Sequence, residues 1–450
     1  MILLAREKLN RKTVINAFLA LLFVCLILMR DVFGVSINSN VFIALPVVFF
    51  IINDINLLIA AMVFLIPLCP GIPYVTVYLI GIMVIFIKEY KDMRFSPLLL
   101  VCVLLLFILE AFLGFNIKAE LNLTEIIRLF GIIFLSFLVL PSYRGNENDY
   151  ALILKSFLWG FFVMVVAIIS QYLSVYSLSD FLSLGIRVGN VASFFKLDPG
   201  LRISNNQNVL GILCSTAIYV SLILFYKKTT SKRYIIFIPI AMLFGLLTQS
   251  RNFIFSAILI LLYYMLVLLF SKTQNAKRFL SSFLLIVILL FGIFFIVTSY
   301  FPQYIENLTN RFEVDDLTGG RAVLLELYNE FMRDNPLYIT FGAGLVGYSQ
   351  VSGIDKSTHN GFQQVFVSWG IVGCFIVAVL MYQLYKTASM AQKFNALRLL
   401  PFLIYIFSMQ FTQWFSNGTI VLLNIVWFYS VRYLAEGQMK NDSELREAII

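Results

Sequence analysis

The sequence contains little charge and a single histidine. Charged residues make up 13% of the 450 residues, hydrophobic residues make up 60%, and the mean hydropathy is +0.91. Because soluble domains carry roughly one-quarter charged residues, this composition excludes an ordinary soluble protein. Apolar runs near the length that crosses a bilayer, roughly 17–25 residues, recur along the whole chain. The composition therefore predicts a polytopic membrane protein.

Residues that build several common kinds of site are also scarce. The five cysteines stand singly within apolar runs, so they predict neither a disulfide framework nor a metal cluster. One histidine excludes a standard zinc site, and no Walker-type glycine-rich loop is present for ATP. We therefore expect no metal and no cofactor. The basic balance, with a pI of about 9.2, indicates membrane orientation and no nucleic-acid partner.

The apolar runs predict an all-α membrane protein of about fourteen transmembrane helices, with twelve as the lower bound. No internal repeat divides the chain, so residues 1–450 are predicted to form one integral membrane domain. The first run lacks a small-residue cleavage site and is predicted to be a retained anchor. The predicted spans are 13–29, 37–52, 55–69, 72–88, 97–114, 124–140, 151–172, 207–226, 234–249, 252–270, 279–299, 359–385, 398–414 and 419–434.

Basic residues in the short loops predict the orientation. The segments KEYKDMR (88–94), YKKTTSKR (226–233) and SKTQNAKR (271–278) are rich in lysine and arginine. The positive-inside rule assigns them to the cytoplasm, and an even number of spans then places both termini there. Two segments, 173–206 and 300–358, become the long external loops. Loops of this length are usually functional or disordered.

The second loop contains a predicted amphipathic helix over residues 320–334. Leu324, Leu327, Tyr328 and Phe331 follow the i, i+3, i+4, i+7 pattern, and Asn335–Pro336 ends the helix. Arg321 lies on the same stripe at the helix N-terminus. A guanidinium beside free backbone N–H groups favours a phosphate. The alternative is that Arg321 snorkels or pairs with a carboxylate of the loop.

Further polar residues collect at the predicted external boundary. The lone histidine, His359, and its neighbour Asn360 begin the twelfth span, and Arg251 lies in the tight connection between spans nine and ten. A charge at this depth is costly and usually functional. Arginine outnumbers lysine in the external segments, and its fork suits bidentate binding of phosphate. The alternative for His359 is a polar anchor at a helix end, and for Glu110 in span five an interfacial charge.

Four segments within about 200–375 together resemble the O-antigen polymerase and O-antigen ligase superfamily. They are RISNNQN, SRNFIF, the Arg321 segment GGRAVLLELYNEFMRDNPLYITFGAGL, and STHNGFQQVFVSWGIVG. The resemblance implies a C-type glycosyltransferase fold that uses undecaprenyl-pyrophosphate-linked oligosaccharides without a metal. It departs where related sequences often have tryptophan after the arginine, since this chain has Leu324, Leu325 and Tyr328.

The resemblance also implies roles for particular residues. Arg251 and Arg321 would hold the donor pyrophosphate, and His359 would assist the acceptor hydroxyl as a general base. Glu110 is a second candidate for the base. The remaining predicted substrate contacts are Arg187, Arg202, Asn206, Tyr328, Asn360 and Glu110.

These roles predict an enzyme of the bacterial inner (plasma) membrane with its active site on the periplasmic or external face. We favour a polymerase of O-antigen or similar polysaccharide repeat units over the alternative, a ligase that transfers the glycan to lipid A core in lipopolysaccharide biosynthesis. A flippase for lipid-linked oligosaccharides is the alternative from another class. Transporters usually have internal repeats and polar groups near the midplane, whereas here the polar groups gather outside. The expected partners are the lipid-linked oligosaccharides, the lipid bilayer and, as a further candidate, a chain-length regulator.

Overall fold

In the described residues, the computed structural model is entirely helical. It describes residues 2–69, 71–91, 93–116, 123–188, 206–227, 232–270, 302–310, 321–354, 356–390 and 395–447, together with Ile203 and isolated positions between 284 and 299. Within these ranges there is no β-strand. This confirms the predicted all-α class for the described part of the chain.

The described residues of the N-terminal half form ten α-helices. They are α1 (Ile2–Phe33), α2 (Val41–Ile52), α3 (Ile55–Leu65), α4 (Tyr74–Glu89), α5 (Pro97–Asn116), α6 (Leu123–Phe134), α7 (Leu140–Ser142), α8 (Glu147–Leu173), α9 (Leu178–Leu184) and α10 (Gln207–Tyr226). A π-helical segment, Leu135–Val139, joins α6 to α7.

The C-terminal half alternates long and short helices. They are α11 (Phe237–Leu247), α12 (Arg251–Phe270), α13 (Pro302–Asn310), α14 (Arg321–Asp334), α15 (Pro336–Phe341), α16 (Tyr348–Ser352), α17 (Gly361–Ala388), α18 (Leu399–Ser408) and α19 (Gly418–Glu447). The predicted loop 300–358 thus contains four short helices among its described residues.

Six of the described helices are long and apolar enough to cross a membrane. They are Lys12–Phe33 of α1, α8, α10, α12, α17 and Gly418–Glu436 of α19. The other predicted spans in the described ranges coincide with shorter helices, and most of the predicted span 279–299 lies outside the described residues. The structure therefore supports a membrane protein with several spans, and the count of fourteen stays a prediction.

The helices pack around an apolar interior. Helix α3 lies along α8, and the approach is closest at Gly160, where a Cβ would lie 2.0 Å from the carbonyl oxygen of Phe64. Helix α10 is almost wholly buried among α8, α11, α12, α18 and α19. By contrast, α1 and α12 expose large apolar side chains such as Phe18 and Leu262. Such an exposed apolar belt is expected of helices that face lipid.

Candidate active site

A buried polar turn between α11 and α12 positions Arg251. The hydroxyl of Thr248 accepts a hydrogen bond from the backbone N–H of Ser250 (3.2 Å), and the Ser250 hydroxyl donates to the side-chain oxygen of Asn208 (3.3 Å). Thr248 and Ser250 are buried. Because Asn208 belongs to the first turn of α10, these bonds hold the N-terminus of α12 against the N-terminus of α10. Arg251, the first residue of α12, is thereby fixed.

Arg321 is the first residue of α14, whose observed bounds, Arg321–Asp334, confirm the predicted helix to within one residue. The buried face consists of Leu324, Tyr328 and Met332, and Arg321 lies on this face at the same helical spacing. The predicted place of Leu327 on the stripe is wrong, because its side chain is 44% exposed and Met332 takes the buried position. Arg321 forms no salt bridge with any described residue.

Two hydrogen bonds join α14 to the segment that carries His359. The Tyr328 hydroxyl donates to the carbonyl oxygen of Lys356 (2.9 Å), and the side-chain amide of Gln363 donates to the carbonyl oxygen of Leu325 (3.1 Å). Tyr328 is fully buried, and burial raises its pKa to about 12. These bonds join the helix with Arg321 and the segment with His359 into one packed unit. Tyr328 contributes to the site as a support for the histidine segment.

Burial and nearby positive charges lower the pKa values of Arg321 and His359. Burial lowers the pKa of Arg321 below its usual value, and the positive charge of Arg251 lowers it further. His359 keeps an exposed face, yet partial burial lowers its pKa, and the charges of Arg321 and Lys356 add to that shift. Electrostatic effects of this kind weaken steeply with distance and screening, so Arg321 lies near Arg251 on one side and near His359 on the other. Neutral imidazole is the favoured form near neutral pH.

Two of the predicted substrate contacts form helix caps. The side-chain oxygen of Asn360 accepts from the backbone N–H groups of Phe362 (2.9 Å) and Gln363 (3.1 Å) and so caps α17. The side-chain oxygen of Asn206 caps α10 in the same way, accepting from Asn208 (3.0 Å) and more weakly from the next residue. Such caps contribute about 1 kcal/mol each. Their predicted contacts with substrate stay predictions.

Glu110 is buried in α5 and holds the loop after α15. Its carboxylate accepts from the backbone N–H groups of Leu345 (2.8 Å) and Val346 (3.0 Å) and from the indole N–H of Trp369 (2.8 Å). Its exposed fraction is only 2%. This geometry indicates a structural role, which the position of a lone acid within an apolar run could not show. Its predicted roles as a substrate contact and second candidate base stay predictions.

The same loop lies backbone to backbone against α17. The N–H groups of Ala343 and Gly344 donate to the carbonyl oxygens of Val367 and Ser368, both at 2.8 Å. Helix α17 is kinked at Gly370, whose φ of +62° breaks the regular helical hydrogen bonding. The FGAGL segment therefore supplies donors to carbonyl groups that the kink would leave without partners. These contacts fix the position of α17, which starts directly after His359 and Asn360.

The remaining predicted residues lie apart from this description. Arg202 lies outside the described residues, and Arg187 belongs to a short 3-10 helix, Gly185–Val188, in which its side chain is not described. In the described ranges, no group of three or more His, Cys, Asp or Glu could hold a metal ion.

Residues 234–378 match the protein family described as O-antigen ligase. The matching segment contains Arg251, Arg321 and His359, the three residues that the structure brings together, and excludes Arg187, Arg202, Asn206 and Glu110. A comparison with curated proteins finds no match to the chain. The matching segment thus confirms the predicted resemblance of this chain to the O-antigen polymerase and ligase superfamily.

Proposed function

We propose that this protein is a glycosyltransferase that polymerises lipid-linked polysaccharide repeat units on the outer face of the bacterial plasma membrane. The observation that carries the proposal is the electrostatic neighbourhood of Arg251, Arg321 and His359 within the family segment. These residues come from three separate stretches of sequence, and the hydrogen bonds of the polar turn and of α14 support them. The undecaprenyl-pyrophosphate donor and a C-type glycosyltransferase arrangement belong to this proposal.

The two arginines provide a site for the donor pyrophosphate. Two partly buried guanidinium groups repel each other: after burial, the positive charge of Arg251 is the second cause of the lowered pKa of Arg321. A pyrophosphate between them would convert this repulsion into attraction, and each arginine can offer two parallel N–H donors to phosphate oxygens. Because side-chain hydrogen bonds already hold the turn before Arg251 and the helix that carries Arg321, we expect little reorganisation when negative charge develops.

The transfer then proceeds as a substitution at the anomeric carbon of the donor sugar. The acceptor hydroxyl oxygen forms a bond to that carbon, and the bond from the carbon to the pyrophosphate oxygen breaks. The electron pair leaves with undecaprenyl pyrophosphate, whose increased charge Arg251 and Arg321 stabilise. His359 takes the hydroxyl proton. Its lowered pKa keeps the imidazole neutral and able to accept a proton at neutral pH.

His359 must also return to the neutral form after each transfer. Its exposed face allows the proton to pass to water, and the positive charges of Arg321 and Lys356 favour that loss. A protonated histidine beside two cations is an unfavourable state, so it would not persist. The arrangement therefore supports repeated turnover without a second protein base.

The acceptor distinguishes the alternatives. A polymerase transfers the growing chain to another lipid-linked repeat unit, whereas a ligase transfers it to lipid A core. A flippase would move lipid-linked oligosaccharide across the membrane without changing its length. Purified protein supplied with lipid-linked repeat units alone should therefore produce longer lipid-linked chains, and chelation of divalent metal should not stop it. If product forms only when lipid A core is added, the protein is a ligase and the proposed polymerase activity is wrong.

Arginine-to-lysine substitutions test the pyrophosphate site. Arg251→Lys and Arg321→Lys keep the charge but lose the forked donors, so each should reduce polymer synthesis roughly ten- to a hundredfold, corresponding to about 1.5–3 kcal/mol for a charge-assisted contact. Arg333→Lys, at an exposed position of the same helix α14, is the matched control and should keep full activity. Synthesis is measured in membranes at equal protein levels. Full activity in both site variants would refute the pyrophosphate site.

A histidine substitution tests the proposed base. His359→Ala should insert and fold normally, because the side chain is exposed and forms no hydrogen bond with any described residue, yet polymer synthesis should fall about a hundredfold or more. No other histidine in the chain can replace it. Wild-type rate and chain length in this variant would remove His359 from the mechanism while leaving the arginine site to be judged separately.

A further inference from the structure

A second polar cavity lies at the opposite end of α17 from His359. It has a volume of about 220 Å³, and Thr387, near the end of this 28-residue helix, is among its lining residues. At 1.5 Å per residue, α17 is about 40 Å long, so the two sites are a membrane thickness apart. The short basic loop 88–94 also reaches this cavity, which is therefore at the end predicted to be cytoplasmic.

Three arginines line this cavity: Arg94, Arg144 and Arg432. Among the lining residues there is no carboxylate, and none of the three arginines forms a salt bridge with a residue in the described ranges. Glu436, one turn after Arg432 in α19, does not line the cavity. Three like charges around an empty space repel one another, and an anion would relieve that repulsion.

Arg432 is the buried member of this set. Only 5% of it is exposed, and its terminal nitrogen donates to the backbone carbonyls of Pro141 (3.3 Å) and Tyr143. Its Nε is buried and has no hydrogen-bond partner among the residues that the structure describes. A buried cation with an unused donor is costly unless a ligand completes its hydrogen bonds. Its partners Pro141 and Tyr143 are neighbours in the chain of the lining residues Ser142 and Arg144, so the backbone holds the guanidinium at the cavity wall.

The start of α5 adds a further contribution. Ser96, directly before the first residue of α5, and Leu99 in its first turn both line the cavity. The first turn of a helix carries backbone N–H groups and partial positive charge, which favour a negative ligand. Ser96 and Thr387 also bring hydroxyl groups to the wall. Guanidinium, hydroxyl and helix N-terminus are the groups that bind phosphate in proteins.

We propose that this cavity binds a phosphate group at the face of the membrane opposite the glycosyl-transfer site. The phosphate belongs either to the headgroup of an anionic phospholipid or to a soluble phosphate compound. Orientation by the positive-inside rule does not require this arrangement, because lysines or arginines anywhere in the short loops would serve. Convergence of three arginines, one of them buried, on a single cavity indicates recognition of one ligand. The inference is independent of the proposed glycosyltransferase activity.

Thermal unfolding of the full-length protein in nanodiscs tests the inference. The discs contain zwitterionic phosphatidylcholine, and two separate series add inorganic phosphate at constant ionic strength or replace part of the lipid with phosphatidylglycerol. A ligand that binds only the folded state raises the unfolding midpoint, and the rise grows with the logarithm of ligand concentration above Kd. A rise with phosphate identifies a soluble source, and a rise only with phosphatidylglycerol identifies a lipid headgroup. No rise in either series overturns the proposal.

Single substitutions locate the effect. Arg94→Gln and Arg144→Gln should each weaken the apparent affinity about tenfold or more. Both side chains are exposed, so the variants should fold. Lys91→Gln is the matched control, since it removes one charge from the same loop at an exposed side chain that lies over Tyr90 and outside the cavity. If all three variants keep the wild-type response, or all three lose it equally, the response reflects general surface charge and the cavity is not the site.

Discussion

Substitution of Glu110 separates a structural carboxylate from a catalytic one. Two carboxylate oxygens receive three donors: one accepts from the N–H of Val346, and the other accepts from the N–H of Leu345 and the indole of Trp369. Glu110→Gln keeps the size of the side chain but turns one acceptor into a donor. In its best orientation the amide oxygen serves Leu345 and Trp369, and the amide nitrogen then opposes the N–H of Val346.

The magnitude follows from these contacts. Glu110→Gln loses one charge-assisted hydrogen bond and weakens two others, which should lower the free energy of unfolding by about 2–4 kcal/mol. Glu110→Ala leaves three buried donors without an acceptor, at about 1–3 kcal/mol each, so the loss should be about 3–9 kcal/mol. Glu330→Gln, at an exposed position of α14, should change the free energy of unfolding by less than about 0.5 kcal/mol.

The assay is unfolding in detergent, followed by intrinsic fluorescence at one scan rate because such unfolding is commonly irreversible. The midpoints should fall in the order wild type, Glu110→Gln, Glu110→Ala. At a temperature below its own midpoint, the glutamine variant should still synthesise polymer. A glutamine variant with an unchanged midpoint and no polymer synthesis would refute the structural role and make Glu110 the leading candidate for the general base.

Two further predictions concern the histidine segment and the glycine loop. As pH falls, the rate of polymer synthesis should drop at a pH below 6.5, because the base acts when neutral and the pKa of His359 is lowered. Lys356→Gln removes one cause of that lowering and should move the drop in rate to higher pH. Arg333→Gln, away from the histidine, should not move it. Gly342→Ala should lower the unfolding midpoint strongly, because its Cβ would lie 2.3 Å from the backbone of α17. Gly353→Ala, at a similar positive φ but in open space, should lower the free energy of unfolding by only about 1 kcal/mol. The measurements are the rate of synthesis against pH and thermal unfolding. The first prediction is contradicted if Lys356→Gln leaves the pH dependence unchanged, and the second if the two alanine variants have equal midpoints.

Local patterns predicted the helix that carries Arg321 well. Apolar spacing and the Asn335–Pro336 stop are encoded within one short stretch, and the observed helix, Arg321–Asp334, agrees to one residue. Which residues face inward depends on the neighbours. Phe331 is partly buried and stacks on Tyr338 at 5.3 Å, while Leu327 is exposed, because α15 and the Tyr348 region cover a face rotated toward Met332. The spacing of apolar residues can be read from the local sequence, whereas the side of the helix that is buried depends on the segments that pack against it.

The partners of Glu110 could not be predicted for a related reason. Its three donors come from residues 235, 236 and 259 positions away in the sequence. Nothing in the apolar run around it indicates which loop will fold over it. Likewise, the sequence predicts a tight connection that contains Arg251, but the attachment of this connection to the start of α10 through Ser250 and Asn208 depends on helix packing. Composition and hydropathy predict the class of structure, and the long-range polar contacts need the fold.

The link between donor site and base follows from one such long-range contact. The fully buried Tyr328 bonds through its hydroxyl to the carbonyl oxygen of Lys356, a bond that a tryptophan at this position could not make with the same geometry. Tryptophan has a single N–H donor on a larger ring, so the same bond would require a different separation between α14 and the histidine segment. The tyrosine thus sets the spacing between Arg321, seven residues before it, and His359, three residues after Lys356. In the proposed reaction, this is the spacing between the leaving pyrophosphate and the hydroxyl that attacks.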